Sequence, residues 1–421
     1  MSQDNIGQSG SVCKAGSDFR AAEGSKNAPP GAPLGNYGKS HSAPIRIKDL
    51  GRCDPETGEL VQTGRDPSLA RLERWALLSV SRELLPHSQT AKCYRVRRAE
   101  HVTVLHSSGA ASGHLAGLCT CHSVWACPVC ASKISERRRE DLQAALDAAR
   151  AQGLHAYLLT LTHPHTRADS LPDLLRGEQD ALARVLKVRA TQGILARIGR
   201  VGQVRAWEVT HGRKRAVSHG WHPHFHLLLF CTVSLSAADR REVQGALYAQ
   251  WAKACERAGL DRPREGYGCR LDGGERAADY VTKWGQEEAA WGFASELTKG
   301  HIKRAGEHGE TPFDLLRALL VDEGDRQAAW LYREYAGAYR GKRQLVWSRG
   351  LRERLGLDAE ATDAEIAAEQ REDAAEVARL DAADWRAVVR FAAQGELCEL
   401  ACHGADTVAR FIIGLRARSV R

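Results

Sequence analysis

A short apolar run with regularly spaced histidines constrains the fold of this chain more than any other feature. Residues 221–230 read Trp-His-Pro-His-Phe-His-Leu-Leu-Leu-Phe, and the apolar part of this run predicts a buried β-strand. Side chains alternate between the faces of a strand, so His224 and His226 point to one face and Phe225 points to the other. Two neighbouring imidazoles supply half of a divalent-metal site, and the plain alternative is a pair of hydrogen-bonded core histidines.

Two neighbouring strand patterns supply further candidate ligands. Residues 157–162 alternate as a strand does and lead into a His-Pro-His sequence that ends at His165. Residues 204–210 form a second strand pattern that carries Glu208. Glu208 is the expected third ligand, because its strand should pair beside the histidine strand, and His165 is the second choice. His222 shares the histidine face, but the proline after it places it near the start of the strand, which lowers its claim.

A tyrosine and a lysine stand close together on a predicted helix. Residues 275–284 have a helical pattern that places Tyr280 and Lys283 one turn apart on one face. A neighbouring ammonium group favours the ionised form of a phenol, and it can also bind a phosphate. This pair therefore suits a phenolate nucleophile.

Four of the twelve cysteines lie between residues 119 and 130. Cys127 and Cys130 are separated by two residues in the pattern Cys-Pro-Val-Cys, and such a pair can occupy two corners of a zinc tetrahedron. Cys121 supplies a third corner. A fourth ligand from elsewhere would close the coordination sphere, so the predicted zinc site is structural rather than catalytic. Cys119 is a candidate for the fourth position and His122 a more distant one.

In this order the motifs resemble the rolling-circle replication initiators of bacterial plasmids, the single-tyrosine type within the HUH endonuclease superfamily. The resemblance covers residues 90–355. The segments that carry it are Leu-Thr-Leu-Thr at 159–162, Glu-Val-Thr at 208–210, Gly-Trp-His-Pro-His-Phe-His at 220–226 and Tyr-Val-Thr-Lys at 280–283.

The resemblance implies that the chain is an enzyme acting on DNA. Tyr280 would attack a phosphodiester of single-stranded DNA and form a 5′-phosphotyrosine link with a free 3′-hydroxyl, with Lys283 beside it. The protein would in this way nick and rejoin the strand at a plasmid replication origin. The expected partners are the origin DNA and the host helicase and DNA polymerase.

The same resemblance implies two kinds of metal and a fold class. A catalytic Mn²⁺ or Mg²⁺ would be held by His224 and His226 with a third ligand, and imidazole ligands suit Mn²⁺ better. Cys93 would be the fourth ligand of a structural Zn²⁺, ahead of Cys119. The order of strands and helices agrees with an α+β fold, an antiparallel sheet backed by helices with an N-terminal zinc-binding subdomain and a helical C-terminal region.

One departure from the family pattern concerns the end of the reaction. Some related initiators carry a glutamate one helical turn before the tyrosine, where this chain has Arg276. Glu275 and Asp279 are near, but each lies off that face of the helix. Termination by hydrolysis and by a second transesterification both remain open. The alternative functions are an HUH-type transposase and a non-catalytic, zinc-stabilised DNA-binding regulator.

The charge distribution agrees with a polyanionic partner. The chain has a net charge of +8 and a pI near 8.9, which permits DNA binding without proving it. Two basic clusters are candidates for contacts to DNA phosphates. They comprise Arg137, Arg138 and Arg139, and Arg213, Lys214 and Arg215.

The pattern along the chain predicts five regions and a cytoplasmic protein that does not contact membranes, and the resemblance implies a bacterial one. No signal peptide or membrane span is expected, and the clustered cysteines indicate metal binding rather than disulfides. The predicted regions are a disordered tail at 1–65, a zinc-binding subdomain with a basic helix at 66–153, an endonuclease core at 154–300, a helical extension at 301–356 and a helical module at 357–421.

Overall fold

A computed structural model describes residues 67–214, 218–283, 309–370 and 373–420. The tail predicted at 1–65 lies outside these residues, as does Arg215. The described strands are β1 (Val102–Ser107), β2 (His114–Ala116), β3 (His155–Leu161), β4 (Arg200–His211), β5 (Trp221–Cys231), β6 (Cys269–Asp272), β7 (Leu345–Trp347) and β8 (Ala374–Leu380).

The helices are numbered in chain order through the described residues. They are α1 (Pro67–Leu84), α2 (Pro128–Ala151), α3 (Leu171–Lys187), α4 (Arg189–Arg197), α5 (Ala237–Arg257), α6 (Gly274–Lys283), α7 (Pro312–Val321), α8 (Arg326–Ala338), α9 (Leu351–Arg354), α10 (Asp363–Ala368), α11 (Ala382–Arg390), α12 (Gln394–Ala401) and α13 (Ala405–Val420). None of these helices combines the length and the apolar character that a membrane span requires.

The central sheet has five strands in the order β6-β3-β5-β4-β7, and all neighbouring pairs are antiparallel. The α+β class expected from the sequence is therefore confirmed. The histidine strand β5 lies at the centre of the sheet, between β3 and β4. In this register Glu208 of β4 is directly opposite His224, and Thr160 of β3 is directly opposite His226.

The two faces of the sheet have different coverings, and this difference creates the site. On one face, Trp207, Phe225 and Leu227 are buried in a core that also includes side chains of α3 and α5. On the other face, Leu228 and Phe230 are buried together with side chains of α2 and α6. The histidines of β5 lie on this second face, towards the end of the strand that precedes the apolar residues.

A second, three-stranded sheet has the order β2-β1-β8 and joins distant parts of the chain. Strand β8 pairs antiparallel with β1, and a separate core forms around these strands and helices α11, α12 and α13. The C-terminal region is thus mostly helical but contains one strand. Residues 374–380 read Ala-Ala-Glu-Val-Ala-Arg-Leu, a helix-favouring composition, so the long-range pairing with β1 decides the structure.

Candidate active site

Three polar side chains meet at the open end of the histidine face. Nε2 of His224 and Nε2 of His226 each lie 3.4 Å from Oε2 of Glu208. The candidate ligand atoms of the three residues are all within 4.8 Å of one another. The other ring nitrogens are also held, since Nδ1 of His226 lies 2.9 Å from Oγ1 of Thr160 and Nδ1 of His224 lies 3.3 Å from the carbonyl oxygen of His222. Such bonds fix the orientation of ligand imidazoles.

The charges within this group favour an ionised carboxylate. Burial alone would raise the pKa of Glu208, but the adjacent imidazoles of His226 and His224 outweigh it and hold that pKa well below its usual range. Burial alone would lower the pKa of His224, but its hydrogen bond to Glu208 and the charge of that carboxylate raise it. The site therefore keeps an anionic oxygen beside two imidazole nitrogens.

The composition of this donor set fits a divalent cation. Two imidazole nitrogens and one carboxylate oxygen suit a first-row ion such as Mn²⁺, and the carboxylate also suits Mg²⁺. Glu208 rather than His165 is brought to the two histidines. Nε2 of His165 instead lies 2.7 Å from Nδ1 of His222, and its Nδ1 lies 2.7 Å from the carbonyl oxygen of His219.

Tyr280 lies directly against the group formed by Glu208, His224 and His226. Its hydroxyl donates a hydrogen bond of 2.8 Å to Oε1 of Glu208, and its ring centroid is 4.7 Å from that of His226. Helix α6 is anchored by Ala277 and Val281, both completely buried, and this places the half-buried Tyr280 at the histidines.

The other residues singled out on α6 contribute less to this geometry. Glu275, Arg276 and Asp279 are all exposed. Lys283 is the last residue of the helix, and its side chain is not among those that the structure describes.

The four cysteines expected to bind zinc lie together. Sγ of Cys93 is 3.7 Å from that of Cys127 and 3.6 Å from that of Cys130, and Sγ of Cys121 is 3.8 Å from that of Cys130. Neither Cys119 nor His122 belongs to this group. Four thiols at these separations match the donor set of a closed, tetrahedral zinc site.

Burial raises the pKa of the Cys127 thiol, and two local groups act in the opposite direction on this cysteine group. Cys127 is the N-cap of α2, and its sulfur accepts a hydrogen bond from the backbone N–H of Cys130. A helix N-terminus stabilises negative charge. The buried Arg82 donates to the carbonyl oxygen of Cys93 at 2.5 Å, which places a cation beside the sulfurs.

The basic cluster near the middle of α2 forms ion pairs within the protein. Arg138 is buried and lies 2.5 Å from Asp363, with 6% of its side chain exposed. Its neighbours also form ion pairs, Arg137 with Asp141 and Glu369, and Arg139 with Glu136. We expected all three arginines to contact DNA phosphates. Arg138 is not available for such a contact, because its guanidinium is buried against Asp363 at the start of α10.

The basic loop before β5 is also partly structural. Arg213 contacts Glu310 at 2.9 Å and Asp325 at 2.5 Å, and only 9% of its side chain is exposed. Lys214 also pairs with Glu310, at 3.2 Å, but remains 48% exposed. Arg213, which was expected to bind phosphate, therefore connects the loop to distant segments through ion pairs. Of the described residues of this cluster, only Lys214 has a substantially exposed side chain.

Sequence reasoning missed a cleft beside His222. It has a volume of about 450 Å³, and its walls come from the ends of β3, β4 and β5 and from the loop before β6. The lining includes His165, His222, Arg264 and Tyr267. These residues come from separate segments, so no local pattern could have indicated the cleft.

Comparisons with known proteins identify relatives of this chain. Residues 113–245 match the Rep_1 family, which is described as replication protein. A curated protein named "Protein rep" from Streptomyces lividans is 29% identical over 322 residues, which cover 62% of this chain and 69% of that protein. A "Neomycin resistance protein" from Streptomyces cyanogenus is 34% identical over 137 residues, which cover 27% of this chain and 30% of that protein. No solved structure matches the chain significantly.

Proposed function

We propose that this chain, which is similar to Rep replication proteins, is a plasmid replication initiator that nicks and rejoins single-stranded DNA at the replication origin. The reaction would depend on a divalent metal and proceed through a covalent link between DNA and Tyr280. The main support for this proposal is the hydrogen bond from Tyr280 to Glu208. It brings the hydroxyl of the candidate nucleophile next to three side chains whose donor atoms could hold a metal ion.

The chain's own residues would bind and orient the reacting groups. Glu208 accepts the hydrogen bond of the phenol and so directs the Tyr280 oxygen. That oxygen attacks phosphorus and loses its proton, while the bond from phosphorus to the 3′-oxygen breaks and that oxygen takes up a proton. The products are a 5′-phosphotyrosine and a free 3′-hydroxyl. A Mn²⁺ or Mg²⁺ ion held by His224, His226 and Glu208 would polarise the non-bridging phosphate oxygens.

The covalent product explains how the strand is rejoined. The phosphotyrosine replaces one phosphate ester with another, so attack by a 3′-hydroxyl on the same phosphorus reverses the step without an external energy source. Until then, the free 3′-hydroxyl is a primer terminus for a DNA polymerase. The host polymerase and a host helicase are therefore the proposed protein partners.

The cysteine group has a separate, structural role in this proposal. Cys93, Cys121, Cys127 and Cys130 would hold one Zn²⁺, with no ligand position left for a substrate. The site would join the loop after α1 to the start of α2. The zinc would therefore stabilise the fold beside the core and take no part in phosphoryl transfer.

The test is a search for the covalent adduct. Single-stranded oligonucleotides that tile both strands of the replicon, each labelled at its 3′ end, would be incubated with the protein and Mn²⁺ and separated on a denaturing protein gel. Because the 5′-phosphate of the downstream fragment joins Tyr280, the 3′ label should migrate with the protein for one strand. EDTA should abolish the labelled band.

Two variants make this test specific. Tyr280→Phe removes only the attacking oxygen and should give no adduct. Tyr339→Phe removes a buried hydroxyl that has no hydrogen-bond partner among the described residues, so it should give the adduct at the rate of the unmodified protein. A protein that binds the strand but forms no adduct with Mn²⁺ would indicate a DNA-binding regulator without catalysis.

A further inference from the structure

The cleft beside His222 is continuous with the candidate active site. The rings of His222 and His224 are stacked, with centroids 5.0 Å apart, and the ring of His222 is joined to that of His165 at 4.8 Å. His222, His224 and His226 thus form a row along one face of β5. Tyr280 packs at the His226 end of this row, and the cleft opens at the His222 end.

The lining of the cleft suits a nucleic acid. Its described lining residues include Arg264 and four histidines but no aspartate or glutamate, so none of these residues would repel a phosphate. The histidines His165 and His222 are held to each other at 2.7 Å. Polar and cationic groups of this kind bind the sugar-phosphate backbone without regard to sequence.

An exposed aromatic ring stands at the edge of this cleft. The side chain of Tyr267 is the most exposed of the large apolar side chains that the structure describes, at 81%. Its backbone is nevertheless held, since its carbonyl oxygen accepts a hydrogen bond from Oγ1 of Thr162 and its N–H donates to the carbonyl oxygen of Arg264. The loop is further fixed by Tyr248, whose hydroxyl donates to the carbonyl oxygen of Pro263. A held ring that faces solvent is suited to stacking on a base.

The direction of the reaction decides which nucleotide belongs in the cleft. In phosphoryl transfer the attacking and leaving oxygens lie roughly in line on opposite sides of phosphorus. Tyr280 approaches from the His226 side, so the leaving 3′-oxygen points towards His222. The nucleotide that carries this oxygen lies on the 5′ side of the scissile phosphate.

We propose that the cleft binds the unpaired nucleotide on the 5′ side of the scissile phosphate, with its base stacked on Tyr267 and its backbone beside the His165–His222 pair and Arg264. This inference rests on the proposed function, because it takes single-stranded DNA as the substrate. It adds the position and direction of the strand.

The test measures binding without cleavage, in the Tyr280→Phe protein with Mn²⁺. The probe is the fluorescently labelled oligonucleotide that the unmodified protein nicks, prepared intact and with an abasic residue at the position 5′ of the scissile phosphate. Tyr267→Ala should weaken binding of the intact strand by about 5- to 150-fold, the range for one base stacked on one aromatic ring. It should leave binding of the abasic strand unchanged, because the stacking partner is already missing.

Two control variants separate stacking from other effects. Tyr267→Phe keeps the ring and should bind both strands as the Tyr280→Phe parent does. Trp330→Ala removes another exposed aromatic side chain, which is 60% exposed on α8, and should change neither affinity.

Three results would overturn the inference. Equal weakening of the intact and abasic strands by Tyr267→Ala would exclude stacking on that base. No weakening of either strand would exclude contact with Tyr267. If Tyr267→Ala failed to weaken binding only when the abasic residue lay on the 3′ side of the scissile phosphate, the strand would run through the cleft in the opposite direction to the one proposed. None of these three results contradicts the proposed function, provided that the unmodified protein forms the adduct. A protein that neither binds nor nicks any strand would contradict both the proposed function and the inference about the cleft.

Discussion

The hydroxyl of Tyr280 lies 2.8 Å from Oε1 of Glu208, while Oε2 of the same carboxylate faces two imidazole nitrogens at 3.4 Å. One side chain therefore contacts both the candidate nucleophile and the other candidate metal ligands. We expect any change at Glu208 to affect metal affinity and the orientation of the phenol together.

The first prediction concerns the divalent metal. His224→Ala and His226→Ala should each abolish Mn²⁺-dependent nicking, because each removes one imidazole nitrogen from a set of three donors. Glu208→Ala should weaken Mn²⁺ binding less completely, since both imidazoles remain. Isothermal titration with Mn²⁺ would measure the affinities, with His155→Ala, an exposed histidine at the start of β3, as the control. Unchanged Mn²⁺ affinity and nicking in either His224→Ala or His226→Ala would contradict the proposed site.

The second prediction concerns zinc. Cys127→Ser and Cys130→Ser should each lose one bound zinc per chain and become sensitive to protease near residues 90–135, because structural zinc contributes on the order of 10 kcal/mol to folding in small zinc modules. Cys119→Ser should keep its zinc, as that thiol lies outside the group. Elemental analysis would measure the metal content. Full zinc content in the Cys127→Ser protein would argue against the site.

The site geometry was largely predictable because it follows from strand alternation. A period of two put His224 and His226 on one face, and the length of the β4 pattern put Glu208 within reach of them once the strands paired. The helix pattern put Tyr280 on a helix, and only the family resemblance implied that this tyrosine acts together with the histidines. Only the hydrogen bond between Tyr280 and Glu208 needed the packing of α6 on the sheet.

The third prediction concerns the loop before β5. Arg213→Ala should lower the thermal unfolding temperature and should lower the free energy of unfolding by up to about 3 kcal/mol, because the buried Glu310 then keeps only the more exposed Lys214 as its partner. Lys214→Ala should change stability little and should reduce the salt dependence of DNA binding by about one counterion. Thermal denaturation and binding at several salt concentrations would measure both. Unchanged stability of Arg213→Ala would show that its ion pairs are dispensable.

The role of Arg213 illustrates what the sequence could not supply. Its run of three basic residues is typical of a solvated or phosphate-binding loop, and its partners Glu310 and Asp325 lie about a hundred residues away along the chain. The pairing of β8 with β1 is a second case, because it spans most of the chain. Local propensity carries no information about such contacts.

The fourth prediction concerns the buried Glu178 behind the sheet. Burial raises the pKa of Glu178 to about 8, although Nε1 of Trp207 donates a hydrogen bond to it at 2.8 Å. The pKa of Glu178 is higher in the folded protein than in the unfolded chain. Its contribution to the free energy of unfolding is therefore fully present below pH 4.5 and is lost as the pH rises through about 8.

The Glu178→Gln variant tests this sign. A glutamine can still accept from Trp207 but cannot ionise, so the variant should gain stability relative to the unmodified protein as pH rises from 5 to 9, by on the order of a few kcal/mol. Urea unfolding at both pH values would measure the difference. Glu275→Gln, on the exposed side of α6, controls for the loss of one carboxylate. A stability difference for Glu178→Gln that does not vary with pH would contradict the buried, neutral state of Glu178.

The fifth prediction is that DNA becomes attached to Tyr280, and identification of the attached residue tests it directly. After reaction with the nicked strand and digestion by nuclease and trypsin, the modified peptide would be sequenced by mass spectrometry. Cleavage after Arg276 and Lys283 gives the peptide Ala-Ala-Asp-Tyr-Val-Thr-Lys, whose only tyrosine is Tyr280. We expect a nucleotide phosphate on this peptide. A modification on the peptide Glu-Gly-Tyr-Gly-Cys-Arg, which contains Tyr267, or on any other peptide would contradict it.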